Sequence, residues 1–411
     1  MRTCVWAVAV VLAAAPPVFG QALSHRGFVD VRAALFPQEA PRDRANVVGD
    51  ALLREELFAR PATWLQLSAG VDVRGNTHDQ VEQAWRVDIG DRRVLRPAIS
   101  VRRLGATLTR GPLTLDLGRQ FIRWGKADIV TPTDRFAPRD FINVIDSAFL
   151  GVTGARAVVQ TGSDTFDVVW VPHFTPSRLP LLDQRWTVVP DSAAGFTLYR
   201  ANPVLPTRDQ VGFRWGHTGP GFELSASVFD GFNHQPSLRT SPTPGATPGL
   251  MVLPIYPRLR SYGVDAAVPT RWFTLKGEAA TFQARDAAAD DYVLYVVQVE
   301  RQVGEWLLLA GYAGEVVTER RAAASFSPDR GLTKSAVARV SYTIDSNRSL
   351  AIEGAARTSG DGVYVKAEFS QARGQHWRAT LAGVGLAGRE DDFLGQYRRN
   401  SNVTLSLRYS F

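Results

Sequence analysis

Apolar and polar residues alternate with a period of two along nearly the whole of this chain. Leu65, Leu67, Ala69, Val71 and Val73 are interleaved with Gln66, Ser68, Gly70, Asp72 and Arg74. Phe222, Leu224, Ala226 and Val228 alternate with Glu223, Ser225 and Ser227, and Val403, Leu405, Leu407, Tyr409 and Phe411 with Thr404, Ser406, Arg408 and Ser410. Successive side chains of a strand point to opposite faces, so each stretch is a strand with one apolar and one polar face. A helical period is nowhere sustained. After residue 20 there is also no run of eighteen apolar residues, so no helix of this sequence is long and apolar enough to cross a bilayer. If the chain enters a membrane, it does so with strands.

Alternation alone also fits a soluble sandwich with one packed face and one wet face. The connections separate the two readings. Short turns recur around Pro61, Gly111, Gly162, Gly219, Thr270, Gly304, Ser346 and Gly374. Between them lie longer polar connections near 75–97, 125–148, 172–208, 232–257, 316–331 and 388–397. Short turns at one rim and long loops at the other are the layout of an outer-membrane barrel. Trp64, Trp272, Trp306 and Trp377 each stand just after a short turn, with Phe222 in the same position, which predicts an aromatic girdle at one membrane–water interface. The expected fold is all-β: a single closed antiparallel transmembrane β-barrel of about eighteen strands, with both termini on the periplasmic side. Sixteen strands is the nearest alternative, because six prolines blur the strand ends between 172 and 217. Closure leaves no free strand edge.

The first twenty residues fall outside this pattern. Arg2 precedes an apolar stretch from Val5 to Ala15 and the end Val18-Phe19-Gly20, which reads as a secretory signal peptide over 1–20 with the barrel as one domain over 21–411. Cys4 is the single cysteine and lies inside it, so the exported chain would have no disulfide. The formal charge of +7 is spread along the chain without a Lys/Arg run, and gives no footprint for nucleic acid.

Chemistry-bearing motifs are missing. The six histidines, His25, His78, His173, His217, His234 and His376, are scattered without metal-ligand spacing. There is no G-x-S-x-G elbow, H-E-x-x-H, phosphate loop or dinucleotide turn. Neither a catalytic site nor a metal or cofactor is expected. The polar faces carry both charge signs, among them Asp30, Arg32, Arg54, Glu56, Asp72, Arg74, Asp116, Lys276, Glu278, Lys366, Glu368 and Arg408. A charged lumen in so large a barrel suits passive diffusion of small polar or anionic solutes. A transporter for a specific, even hydrophobic, ligand would need a plug that residues 21–27 are too few to form, and a barrel hydrolase has no Ser/His pair to support it.

The most distinctive segment is Leu117-Gly118-Arg119-Gln120-Phe121-Ile122-Arg123-Trp124-Gly125-Lys126-Ala127-Asp128, continuing through Pro132-Thr133-Asp134 to Pro138-Arg139-Asp140-Phe141. It resembles a porin-like outer-membrane family of unknown function whose members carry an R-Q-x-x-x-W-G signature followed by a P-x-D loop. The hairpin layout and the Arg408-Tyr409-Ser410-Phe411 ending are also similar, while Thr131 stands where members have Asn. The resemblance implies a barrel in the outer membrane and no defined substrate or catalysis.

Strict alternation after Leu113, Leu115 and Leu117 would put Arg119 in lipid, at about 2–4 kcal/mol near the midplane. A bulge at Gly118 would turn Arg119 and Arg123 inward. Arg119, Arg123, Lys126, Asp128, Asp134, Arg139 and Asp140 are therefore candidates either to line a pore constriction or to latch the loop to the wall. The six prolines between 232 and 257 predict a stiff surface loop. Expected partners are outer-membrane lipid and lipopolysaccharide around the belt, the barrel assembly machinery at Phe411, and small solutes.

Overall fold

A computed structural model describes residues 23–411 except 129, 190–192, 194, 244–248, 286–288 and 322–325; the expected signal peptide with Cys4 lies outside the described residues. Period-two segments become strands throughout. In chain order they are β1 (Leu23–Leu35), β2 (Val47–Ala62), β3 (Leu65–Asn76), β4 (Ile99–Arg110), β5 (Leu113–Gln120) and β6 (Val152–Thr161). There follow β7 (Asp164–Val171), β8 (Gln210–Gly219), β9 (Phe222–Phe232), β10 (Arg258–Pro269), β11 (Thr274–Ala284) and β12 (Asp291–Val303). The last six are β13 (Trp306–Glu319), β14 (Ser335–Thr343), β15 (Arg348–Arg357), β16 (Val363–Arg373), β17 (Trp377–Ala387) and β18 (Asn402–Ser410). Consecutive strands pair antiparallel, and the sheet closes where β1 meets β18 from Phe28 opposite Ser410 to Leu35 opposite Val403. The main chain of Phe411 exchanges both hydrogen bonds with Gly27 at 3.0 Å. Eighteen strands close the barrel, and the proline-rich stretch lies mostly in the connection between β7 and β8.

The two faces follow the sequence pattern. Leu67, Val71, Leu117, Val264, Ile352, Leu405 and Leu407 are exposed on the outside, as lipid-facing residues must be when no lipid is counted. Trp64, Trp272, Trp306 and Trp377 are 46–55% exposed at the short-turn rim, with the Trp306 ring tilted against Tyr342 and the Trp377 ring against Tyr409. Alternate residues such as Asp30, Asp72, Asp265 and Glu278 are buried on the inner face. Apolar packing is concentrated inside the barrel on the long-loop side. There Ile122, Trp124 and Phe136 pack on Val169, Val171, Phe229 and Phe282, while Val144 and Trp186 pack on Ala355, Leu386, Leu394 and Tyr397.

Two expectations are modified. The phase change at Gly118 does occur, but without an inserted residue: Leu104 stays opposite Arg119 and Gly105 opposite Gly118. Gly118 instead takes φ +108°, and a Cβ there would lie 2.3 Å from the Leu104 carbonyl oxygen. Only glycine adopts this conformation cheaply. The proline-rich connection after β9 is an ordered hairpin, Ser237–Thr243 with Gly249–Ile255, whose second strand also pairs in parallel with Thr197–Arg200. Pro244, at its tip, lies outside the described residues.

Candidate functional site: a loop across the lumen

The segment 121–151 leaves β5, runs along the inner wall, crosses the lumen and returns to β6. The distinctive motif is the device that seats it. Asp134 accepts the backbone N–H of Trp124 at 2.6 Å and of Gly125 at 2.7 Å, and its other oxygen meets Arg123 Nε at 3.1 Å. The P-x-D aspartate therefore closes the loop back on the W-G dipeptide. Trp124 Nε1 donates to Asp167 of β7 at 2.9 Å, and Arg156 of β6 holds the same carboxylate. Gly125 is required by close approach, since a Cβ would lie 2.7 Å from Thr131 Cβ. The wall is cut away to match: a Cβ on Gly212 would meet Trp124 at 2.6 Å and Phe136 at 2.7 Å, and one on Gly263 would meet Thr133 at 2.6 Å.

On the far wall Glu278 of β11 receives the loop. It accepts the backbone N–H groups of Lys126, Ala127 and Thr133 at 3.0, 3.1 and 2.7 Å and the Thr133 hydroxyl at 2.8 Å. Gln298 of β12 is paired reciprocally with Asp128, accepting its N–H at 3.0 Å and donating to its carboxylate at 2.6 Å. Lys126 reaches Glu223 at 2.6 Å and Asp265 at 3.5 Å, and Asp128 reaches Lys276 at 3.3 Å. On its return the loop ion-pairs Asp146 with Arg32 of β1. Contacts with β7, β12 and β1 mean that it spans the lumen.

Residues 172–187 of a second connection also turn inward. Arg178 is buried between Asp140 at 2.7 Å and Asp91 at 2.8 Å; Asp140 also meets Arg96 at 2.8 Å and Asp91 meets Arg119 at 3.0 Å. This alternating chain of five charges joins three connections to β5. Burial pushes the Asp140 carboxyl up, but Arg96 and Arg178 outweigh it and hold it well below the usual carboxylate range. Removing one member of such a buried set costs about 3–5 kcal/mol, because it strands the others.

The structure thus separates the candidate residues. Arg119 is turned inward but is 2% exposed and paired with Asp91, so it braces the wall. Lys126, Asp128, Asp134 and Asp140 fasten the loop. Arg123 and Arg139 lie on the Phe149 ring, at 4.4 and 4.3 Å from its centroid, and the Arg123 side chain is 46% exposed. Sequence reasoning missed Arg102 and Arg103. One extra residue in β4 opposite Gly70 and Val71 makes a bulge there that turns both guanidiniums inward, over Phe121 at 4.5 and 5.9 Å. Two consecutive arginines inside an alternating strand were the available signal. Arg135 sits 4.9 Å from the Phe282 centroid. Among the described residues Arg102, Arg103, Arg135 and Arg139 have no carboxylate within ion-pair distance. Aromatic faces hold these cations without neutralising them.

A closed antiparallel barrel with an apolar outer belt, an aromatic girdle and a loop folded into its lumen has the architecture of a porin-type outer-membrane barrel. No family model and no curated protein matches the sequence. Solved structures match over nearly the whole chain. A BenF-like porin from Pseudomonas fluorescens Pf-5 is 7% identical with a TM-score of 0.56, covering 95% of this chain and 97% of its own. The outer membrane protein opdK from Pseudomonas aeruginosa is 10% identical with a TM-score of 0.54, over 94% and 99%. OccAB4 from Acinetobacter baumannii is 10% identical with a TM-score of 0.53, over 95% and 99%. At these identities the likeness concerns the fold.

Proposed function

We propose that this chain is a passive outer-membrane channel for small polar solutes, favouring anions, with a constriction built by loop 121–151. The observation that carries the reading is the set of four guanidiniums, Arg102, Arg103, Arg135 and Arg139, held on aromatic rings at the loop and its facing wall without a carboxylate partner among the described residues. Uncancelled charge in a narrow passage with low-dielectric walls sets which ions enter. Two similar structures, OpdK with vanillate and OccK2 in complex with glucuronate, were solved with carboxylates, which supports the same solute class here. The resemblance to the R-Q-x-x-x-W-G family belongs to this reading too, because the motif residues do the seating of the loop. Transport is passive and involves no catalysis.

The test is the reversal potential of the refolded protein in a planar bilayer under a salt gradient. The wild type should prefer anions. Replacing Arg102, Arg103, Arg135 and Arg139 by Gln should shift the potential toward cations while conductance persists. A cation-selective wild type, or a potential unmoved by the four changes, would overturn the proposal.

A further inference from the structure

The wall of the barrel has a gap that a connection fills. β5 has only 8 residues, because the chain after Gln120 turns into the lumen. Above Gln120, the edge of β4 at Ile99 and Ser100 would therefore stand without a neighbour. The connection between β3 and β4 folds back into this place: Val87 and Asp88 pair in parallel with Ile99 and Ser100. Asp91, a few residues further on, meets Arg119 near the end of β5 at 3.0 Å, so the segment lies in line with the missing part of that strand.

Register fixes which face points out. Val29, Leu53, Val73, Ile99 and Val87 form one row across β1, β2, β3, β4 and this segment, and Val29 is on the lipid-facing side. The adjacent row, Arg54, Asp72, Ser100 and Asp88, points into the lumen, where Asp72 is 2% exposed. Val87 and Ile89 consequently extend the outer apolar belt, and they are 61% and 56% exposed with Trp85 beside them at 69%. Arg92, just beyond this apolar strip, is an exposed cation, whereas Arg86 alternates with Val87 and pairs with Glu82 at 3.8 Å.

We propose that residues 85–92 are a surrogate wall segment docked to the outer-leaflet lipid. Trp85, Val87 and Ile89 meet acyl chains, and Arg92 meets the phosphates of lipopolysaccharide. Continuity with the belt selects lipid over water, since an apolar row that is lipid-covered on four neighbouring strands continues onto the fifth. The inner side of the same segment carries Asp91, which also holds Arg178 at 2.8 Å. The strip thus ties lipid contact to the charge chain that fixes the lumenal loops.

The test uses the full chain with Cys4→Ser and a single cysteine in place of Val87 or Ile89, labelled with an environment-sensitive fluorophore after folding. Vesicles carry phosphatidylcholine brominated in its acyl chains. Leu67→Cys in the belt and Gln83→Cys on the exposed connection are the references. Labels at 87 and 89 should lose as much fluorescence as the label at 67, while the label at 83 stays bright. Loss no greater than at 83 would overturn the proposal, and so would cross-linking of two copies through position 87, which would make a second chain the occupant. Adding lipopolysaccharide should change the label at 87 saturably, with an apparent affinity several-fold weaker when Arg92 is Gln. Equal affinities would remove the headgroup contact.

Discussion

Asp134 shows how a short motif becomes a structural device. Its carboxylate satisfies the Trp124 and Gly125 N–H groups and pairs with Arg123, so one side chain both shapes the loop and holds a cation at the lumen. Asp134→Ala should destabilise the barrel by about 1–3 kcal/mol for the buried Trp124 N–H left unsatisfied, and Asp134→Asn, which keeps an acceptor, by less. Denaturant unfolding in lipid vesicles measures both, and equal losses would show that charge outweighs the backbone bonds. His234 gives the pH dependence. It lies between the carbonyl oxygens of Thr175 at 2.6 Å and Arg135 at 2.9 Å, stacked on Phe174, and so joins three connections. Burial pushes it down to about 4, below its ordinary value near 6.5. A depressed histidine favours the folded state in its neutral form, so this contribution is complete above pH 6.5 and is lost as the pH falls toward 4. Wild-type stability should decline over that window, and His234→Gln should flatten the decline. The importance of Trp124 and Asp134 was legible from their unusual pattern. Their seating was not, because Glu278 lies 145 residues from Thr133 in the chain.

At the scale of the element, a strand that stops early and a glycine that lets it twist decide where the loop goes. Gly105, Gly118 and Gly154 are side by side on β4, β5 and β6, and a Cβ on any of them would lie 2.3–2.5 Å from a neighbouring carbonyl oxygen. This local twist turns Arg119 inward and releases the chain into the lumen. The opposite glycines work by absence of bulk. Gly212→Ala should disturb the seating of Trp124 and Phe136, costing about 1–3 kcal/mol by overpacking and raising conductance fluctuations. Gly383→Ala, where a Cβ has open space around it, should change neither unfolding nor single-channel records. The strand count and the short turns were readable because period two persists to the ends of most strands. The inward course of 172–187 was not, since its seating depends on Arg178 and Trp186 meeting partners on other connections.

For the whole molecule, closure and the two-sided pattern make one statement: every strand presents one face to lipid and one to the lumen. Leu405 is 57% exposed on the outside, whereas Ser406 beside it bonds Asp30 inside. Leu405→Arg should weaken folding into bilayers by about 2–4 kcal/mol, and Ser406→Arg should be tolerated next to that carboxylate. Equal effects would mean that the faces are exchanged. This much was legible from alternation and turn spacing alone; what fills the lumen was not, because interior contacts follow tertiary distance and leave no period in the sequence.

On the proposed function, solute passes through a constriction formed by loop 121–151. It is tested most directly by recording single channels of Arg139→Cys, on the Cys4→Ser background, while a bulky charged thiol reagent is added. The expected result is a stepwise, lasting fall in conductance as position 139 is modified, with no change when the cysteine replaces Asp361 on the exposed connection after β15. Conductance that stays constant at position 139 after modification has been verified would contradict a constriction at this loop.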